Sequence, residues 1–345
     1  MISAANKMRL RQLLLLLPAI ALFACGDSRL PQLELTGQAM GTTFKVLLVE
    51  PQESLDTDAL DIEIVAALQT VDLLASTWRD DSELTAFNSD QSIDWIPVTK
   101  EFCELLDRSL EISKTTGGAF DPTIGPLVNL WGFGPDGQIV EPPSAADIDA
   151  AQHRVGFDLL EADCTERLVR KDVANLYVDL SGWAKGYSVD QVAELLDTRG
   201  IDNYLVEIGG ELRVKGQNSE GGKWAIGIEA PSTSARVPHA VVNVTNTSVA
   251  TSGDYRNYFE HGGQRFSHTI DARTGHPVTH NLAAVTVMNA SAAYADAMAT
   301  ALLVLGPDDG PELARNLGIA GYFLVRSQTD IREITTPDFD RLSAQ

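Results

Sequence analysis

"LAAVTVMNASAAYADAMATALLVLG" (Leu282–Gly306) changes character in its middle. Leu282 to Met288, "LAAVTVM", carries a strand pattern. From Ser291 onward the stretch is alanine-rich with a Leu/Val end, the pattern of a buried helix, and Ser291 can cap it. Upstream, strand patterns dominate residues 203–289: "YLVEIGG", "ELRVKG", "WAIGIEA", "AVVNVTN" and "FSHTID". Before them "WAKGYSVDQVAELLDTRG" reads as a helix closed by Gly200.

The N-terminal half mixes the same elements. "TTFKVLLVE" (42–50) reads as a strand, and residues 58–76 and Thr99–Thr116 carry helical spacing. A Gly- and Pro-punctuated loop, 117–143, is too long to be a mere connector. A short helix near 144–152 leads to strands around 166–170 and 174–180. A helix near 309–317 and the strand "GYFLVR" finish the chain. Helices and strands mix without regular βαβ alternation, which predicts an α+β fold, taken as one catalytic domain over residues 33–345.

Residues 1–24 stand apart. Lys7, Arg9 and Arg11 precede the apolar run "LLLLLPAIALFA", which stops at Cys25. This is the pattern of a signal peptide, too short to span a bilayer comfortably. "LFAC" resembles a bacterial lipobox, which makes Cys25 the lipidated first residue, residues 25–32 a short tether, and lipid the membrane anchor. An ordinary cleavage site nearby, or an uncleaved anchor, is the other reading. The mature chain keeps 23 Lys and Arg against 48 Asp and Glu, a net charge of −25. So acidic a chain argues against a nucleic-acid partner, and an anionic ligand would need a local device to hold it. Cys103 and Cys164 could pair in an oxidising compartment, but no spacing marks a disulfide framework.

Several segments carry chemistry. In "GGAFDPTIGPLVNLWGFG" (117–134) Pro122 restricts Asp121, glycines allow close approach of a ligand, and Phe120, Trp131 and Phe133 offer ring surfaces. "LSGWAKGYSVDQVAELL" (180–196) places Lys185 in the first turn of a helix, where phosphate can be received. "RFSHTIDARTGHPV" (265–278) reads as strand, turn and strand, with Phe266, His268 and Ile270 on one face. A histidine there is most often structural, yet His268 is the best base candidate in the chain. In "STWRDDSELTAFN" (76–88), Ser82 with Thr85 serves equally well as helix capping or as binding. Asp296 and Thr300 share one helix face and supply hard oxygen donors suited to Mg²⁺. A buried Asp satisfied by its neighbours explains the same pair, and the residues alone leave both readings open.

Together, "AMGTTFKV", "WRDDSELTAFN", "GGAFDPTIGPLVNLWGFG", "VDLSGWAKGYSVD", "YLVEIGGELRVKG", "VATSGDYRNYF", "SHTIDARTGHPV" and "YADAMATALLVLG" resemble, in order, the motifs of the ApbE-type FAD:protein FMN transferases. The resemblance spans residues 33–326 and implies a single-domain α+β fold with an FAD-binding cleft. It implies Mg²⁺ at the pyrophosphate of FAD, which is a substrate, and transfer of FMN to a Thr or Ser hydroxyl of an exported or membrane flavoprotein, with AMP leaving. By match to the motifs, Asp296, Thr300 and the Ala184 carbonyl would bind the metal. Met40, Trp78, Ala119, Phe120, Asp121, Ser181, Lys185 and Ile270 would lie along FAD, and His268 would be the general base. Ser181-Gly182-Trp183 departs from the usual Gly-Gly-Ile, and Ala272 replaces a common Pro. The lipobox fits a periplasm-facing lipoprotein of the inner membrane. Two rival functions share the same fold: hydrolysis of FAD to FMN and AMP, and flavin binding without catalysis.

Overall fold

The computed structural model describes residues 29–232, 237–328 and 330–344. The signal peptide and residues 25–28 of the tether, Cys25 among them, lie outside the described residues. The centre is an eight-stranded sheet in the order Gln32–Ala39, Thr42–Val49, Tyr204–Ile208, Glu211–Lys215, Thr247–Gly253, Leu282–Asn289, Ala320–Arg326 and Ile331–Thr335. Every neighbouring pair is antiparallel. Around it lie helices α1 (Thr57–Ala75), α2 (Glu83–Ser89), α3 (Lys100–Thr115), α4 (Gly125–Leu130), α5 (Ala145–Gln152), α6 (Ser181–Thr198), α7 (Ala292–Asn316) and α8 (Pro337–Ala344). The α+β expectation holds.

The sheet is covered on both sides, and strand alternation shows how. Val285, Val287, Phe323 and Val325 pack with the α7 alanines, while Phe44, Val46 and Val206 pack under α1 and α6. The intervening Ala284, Met288, Tyr322 and Leu324 face the hairpin of Trp224–Glu229 with Pro238–Val244, and α8. Two-sided burial is why the 282–288 run is apolar except at Thr286, whose buried hydroxyl pairs with that of Thr251 at 2.8 Å.

The first hairpin turns through Met40 and Gly41, both at positive φ (52° and 71°). Tight turns of this kind suit the right-handed twist of the strands they join. Thr99, Ser82 and Ser291 cap α3, α2 and α7 by accepting from the N–H groups of Phe102, Thr85 and Tyr294. Each such cap stabilises by about 1 kcal/mol. Ser82 and Thr85 therefore carry the capping role.

Several expectations change. The loop 117–143 contains α4, opened by Pro126 at a position where a missing N–H costs nothing. Residues 174–180 join no sheet. Val178 exchanges two hydrogen bonds with the Asn88 side-chain amide (2.7 and 2.8 Å), and Asp179 N–H donates to the Pro122 carbonyl. The strand expected through "FSHTID" breaks at His268 and Thr269, between Gln264–Ser267 and Ile270–Asp271. The final two helical segments are continuous except at Gly306, whose φ of 86° and following Pro307 interrupt the ladder. The strands Gln32–Ala39, Thr247–Gly253 and Ile331–Thr335 were not anticipated. Cys103 and Cys164 form a disulfide that ties α3 to the turn after the strand Leu160–Asp163.

Candidate active site

The site grows from the crossing of α6 and α7. A methyl group on Gly186 would collide with the Ala292 carbonyl and lie 2.8 Å from Ala293 Cα, so only glycine allows this approach. One helical turn on, the Asp190 carboxylate accepts from the N–H groups of Ala292 and Ala293 (2.9 and 3.0 Å) and from Ser291 Oγ (2.7 Å). A carboxylate at a helix start is favourable, so α6 itself completes the N-terminus of α7.

The crossing sets Lys185 beside Asp296. Asp296 is 2% exposed; its Oδ2 accepts from Gly186 N–H at 3.0 Å and its Oδ1 lies 3.6 Å from Lys185 Nζ. The same ammonium lies 3.2 Å from Glu211 Oε1. Glu211, on the strand Glu211–Lys215, was not singled out from the sequence. Burial works against the charge of Lys185, but Asp296 and then Glu211 overcome it and its pKa is raised. Burial pushes Glu211 up to about 7 against the pull of Lys185, and raises Asp296 likewise. Lys185 opens the second turn of α6 rather than lying in its first.

One turn beyond Asp296, Thr300 Oγ1 is 2.9 Å from Ser252 Oγ. A Cβ on Gly182 would lie 3.3 Å from the Phe120 ring and 3.5 Å from Thr300 Oγ1, so the "GGAFDP" loop, α6 and α7 meet there. Ser188 Oγ lies 2.9 Å from both Met40 Sδ and the Ala184 carbonyl, which brings the Met40 turn to the same wall.

His268 is held apart from any strand. Its backbone N–H and its Nδ1 both donate to the Asn257 carbonyl at 3.0 Å. A carbonyl only accepts, so the proton is on Nδ1 and Nε2 keeps its lone pair. Burial lowers its pKa; Lys185 and Arg265 act in the same sense, and the Asn257 hydrogen bond and then Asp254 oppose them. The Phe133 ring meets the imidazole edge-on at 6.3 Å.

Other expected site residues are placed differently. Asp121 is buried and accepts from Thr123 N–H, Thr123 Oγ1 and Phe157 N–H, so its carboxylate latches the loop; burial raises its pKa. Ala119 is buried beside it, and the Ser181 N–H donates to Asp179. Ile270 packs into an apolar cluster with Leu127, Trp131 and Ile148. Trp78 is 70% exposed between α1 and α2, its N–H donating to Ser76 Oγ.

The donor set at the crossing fits a hard cation. Two carboxylates face one lysine, and Glu211 Oε2 is buried without a hydrogen-bond partner. Among the described residues no three His, Cys, Asp or Glu side chains form a metal cluster. Oxygen donors of this kind are those of Mg²⁺, which takes one or two carboxylates and leaves positions to water and phosphate.

Residues 40–323 match the ApbE family. The chain is 39% identical to an FAD:protein FMN transferase of Haemophilus influenzae, covering 94% of this chain and 95% of the relative. It superposes on the flavin transferase ApbE from Vibrio cholerae with a TM-score of 0.84 at 37% identity, over 91% and 99% of the two chains. The apo flavinyl transferase ApbE of Pseudomonas stutzeri gives the same TM-score at 40% identity, over 92% and 98%.

Proposed function

This chain belongs to the ApbE family and acts as an FAD:protein FMN transferase, and we propose that the reaction runs at the α6–α7 crossing with His268 as its base. The observation that carries the proposal is the pairing of a lysine held by two buried carboxylates with an imidazole whose free nitrogen is Nε2.

Asp296, Thr300 and the Ala184 carbonyl would hold Mg²⁺, with Glu211 close by. When bound, the ion supplies charge neutralisation at the pyrophosphate and a template for its oxygens. The protein's own groups do the rest. The oxygen of an acceptor Thr or Ser attacks the phosphorus on the FMN side, a phosphoester bond forms, and the P–O bond to AMP breaks. AMP departs with the bonding electrons, and the hydroxyl proton passes to His268 Nε2. Lys185, kept protonated by its two carboxylates, adds a fixed positive charge where the substrate is anionic. Gly182 leaves room between Phe120 and Thr300 for close approach. Met40, Ala119, Phe120, Ser181 and Lys185 are the wall along which FAD lies, and Asp121 shapes that wall by latching its loop. Trp78 and Ile270 belong to the same proposal, at the surface and in the supporting core.

The test incubates enzyme, FAD, Mg²⁺ and a candidate acceptor, then reads protein-bound flavin by mass after denaturation. Transfer with Mg²⁺, lost with chelator and in Asp296→Asn, is the expected result. Free FMN and AMP with an unlabelled acceptor would show a hydrolase instead.

The proposal extends to location: a lipid on Cys25 would anchor the domain at the periplasmic face of the inner membrane. The Cys103–Cys164 disulfide supports an oxidising compartment. Among the described residues no helix is long and apolar enough to cross a membrane. Cys25→Ser is expected to move the protein from the membrane to the soluble fraction; retention on the membrane would refute the lipid anchor.

A further inference from the structure

The hydrogen bond that gives His268 its free Nε2 comes from a backbone carbonyl, that of Asn257, and a carbonyl is only as well aimed as its chain segment. Residues 254–257 are a bend between the strands Thr247–Gly253 and Tyr258–His261, with no ladder of their own. Tyr255, buried in the core, and Arg256, paired with Glu229, help to hold the bend, and Asp254 ties it to the sheet and to the hairpin. Its carboxylate receives a two-pronged bond from Arg326, Nη1 to Oδ2 at 2.8 Å and Nη2 to Oδ1 at 2.5 Å. Its backbone N–H donates to the Ala283 carbonyl at 3.2 Å, and its carbonyl accepts from the Arg265 guanidinium.

Each partner is fixed in turn. Arg326 ends the strand Ala320–Arg326 of the eight-stranded sheet; its N–H donates to the Asn281 carbonyl and its carbonyl accepts from Asn281 Nδ2, both at 2.8 Å. Arg265 lies on the strand Gln264–Ser267 that delivers His268, and its guanidinium stacks 3.9 Å over the Tyr258 ring. Asp254 is thus clamped to the central sheet on one side and to the base-bearing hairpin on the other. Asp254 is 8% exposed, and a fork-to-carboxylate pair in such a place imposes geometry that a lysine would not. Arg326 lies past residue 323, where the match to the family ends.

We propose that the Arg326–Asp254 pair is the positioning device of the base: it holds the bend so that the Asn257 carbonyl stays on His268 Nδ1 and Nε2 faces the substrate. Neither residue touches the reacting atoms. The inference rests on the reading of His268 as the base, and its test separates the two. The charged groups acting on His268 are Lys185 from α6, Arg265 from its own hairpin and Asp254 from the bend, with the Phe133 ring packed on its edge. Asp254 favours the charged imidazole, and Arg326 is the cation paired with Asp254.

The experiment compares Arg326→Gln, Asp254→Asn and Arg326→Lys in the full protein. It measures kcat, KM for FAD, the pH profile of kcat, and the tautomer and titration of His268 by ¹⁵N NMR without FAD. Arg326→Gln and Asp254→Asn are each expected to lose kcat about tenfold or more, with KM for FAD within about twofold. The acid limb moves to higher pH in Arg326→Gln, which leaves Asp254 unneutralised, and to lower pH in Asp254→Asn. Arg326→Lys keeps the charge and so the wild-type limb, but it lacks the two-pronged geometry and is expected to lose kcat; it remains informative if a neutral variant fails to fold. Shifts in the same direction, an unchanged limb and an unchanged Nδ1–H tautomer in the neutral variants that fold, or an undiminished kcat in Arg326→Lys, would overturn the proposal. Full transfer by His268→Gln would remove the base reading alone, because the imidazole spectra still report whether the clamp sets the tautomer.

Discussion

The Gly186 amide donates to Asp296 Oδ2 at 3.0 Å, so the two helices that build the site are bonded through the proposed metal ligand itself. Helix packing and the proposed metal site therefore share one carboxylate. Lys185 and Glu211 complete the same cluster from the preceding residue of α6 and from the sheet.

Gly186→Ala would place a methyl group against the Ala292 carbonyl and Ala293 Cα, both backbone. Backbone cannot swing aside, so α6 and α7 must separate, at a cost of about 1–3 kcal/mol or more. Denaturant unfolding should show the loss, and transfer should fall with it because Asp296 moves relative to Lys185.

Glu211→Gln removes one of two buried carboxylates competing for a single lysine. The metal-free variant should gain stability on the order of 1 kcal/mol, seen as a rise of a few degrees in Tm. The further rise in Tm on adding Mg²⁺ should shrink, since the ion then binds a less negative site. A wild-type response to Mg²⁺ would show that Glu211 is not coupled to the metal.

The pH dependence of transfer should reflect a base whose pKa is lowered by burial. Below the pKa Nε2 is protonated and cannot accept, so activity falls as pH falls through it. The acid limb of kcat is expected below the ordinary histidine value of about 6.5. His268→Gln should lose about 10²- to 10⁴-fold in kcat while still binding FAD by fluorescence titration.

Reduction of the Cys103–Cys164 bridge, or replacement of both cysteines by serine, frees a 61-residue separation in the unfolded chain. The expected cost is about 2–5 kcal/mol, measured by denaturation with and without reductant. The α6–α7 crossing does not contain the bridge, so transfer by the folded fraction should be unchanged.

Much of this protein is legible in its sequence because the controlling interactions are local. Ser291, Ser82 and Thr99 mark helix starts because each cap joins residues three apart. Apolar periodicity places α1, α3 and α6 within two residues of their observed ends. The alanines of α7 indicate a helix buried among close neighbours, and eight ordered motifs identify the family. Asp296 and Thr300 could be paired from their spacing alone.

Other features have no local signature. Val178 has the composition of a strand residue, but the neighbour it pairs with is a side-chain amide ninety positions away. Cys103 and Cys164 meet only because α3 packs on the strand Leu160–Asp163. The plainest case is the strand Glu211–Lys215. Its alternation sets Glu211, Arg213 and Lys215 on one polar face, which in isolation reads as the face toward water. In the folded protein that face meets α6, where Lys185, Asp190 and Asp197 supply the opposite charges. A polar face has the same pattern whether its partner is solvent or a complementary helix. Charge complementarity across separate elements, which only the tertiary structure brings together, decided that Glu211 belongs to the site.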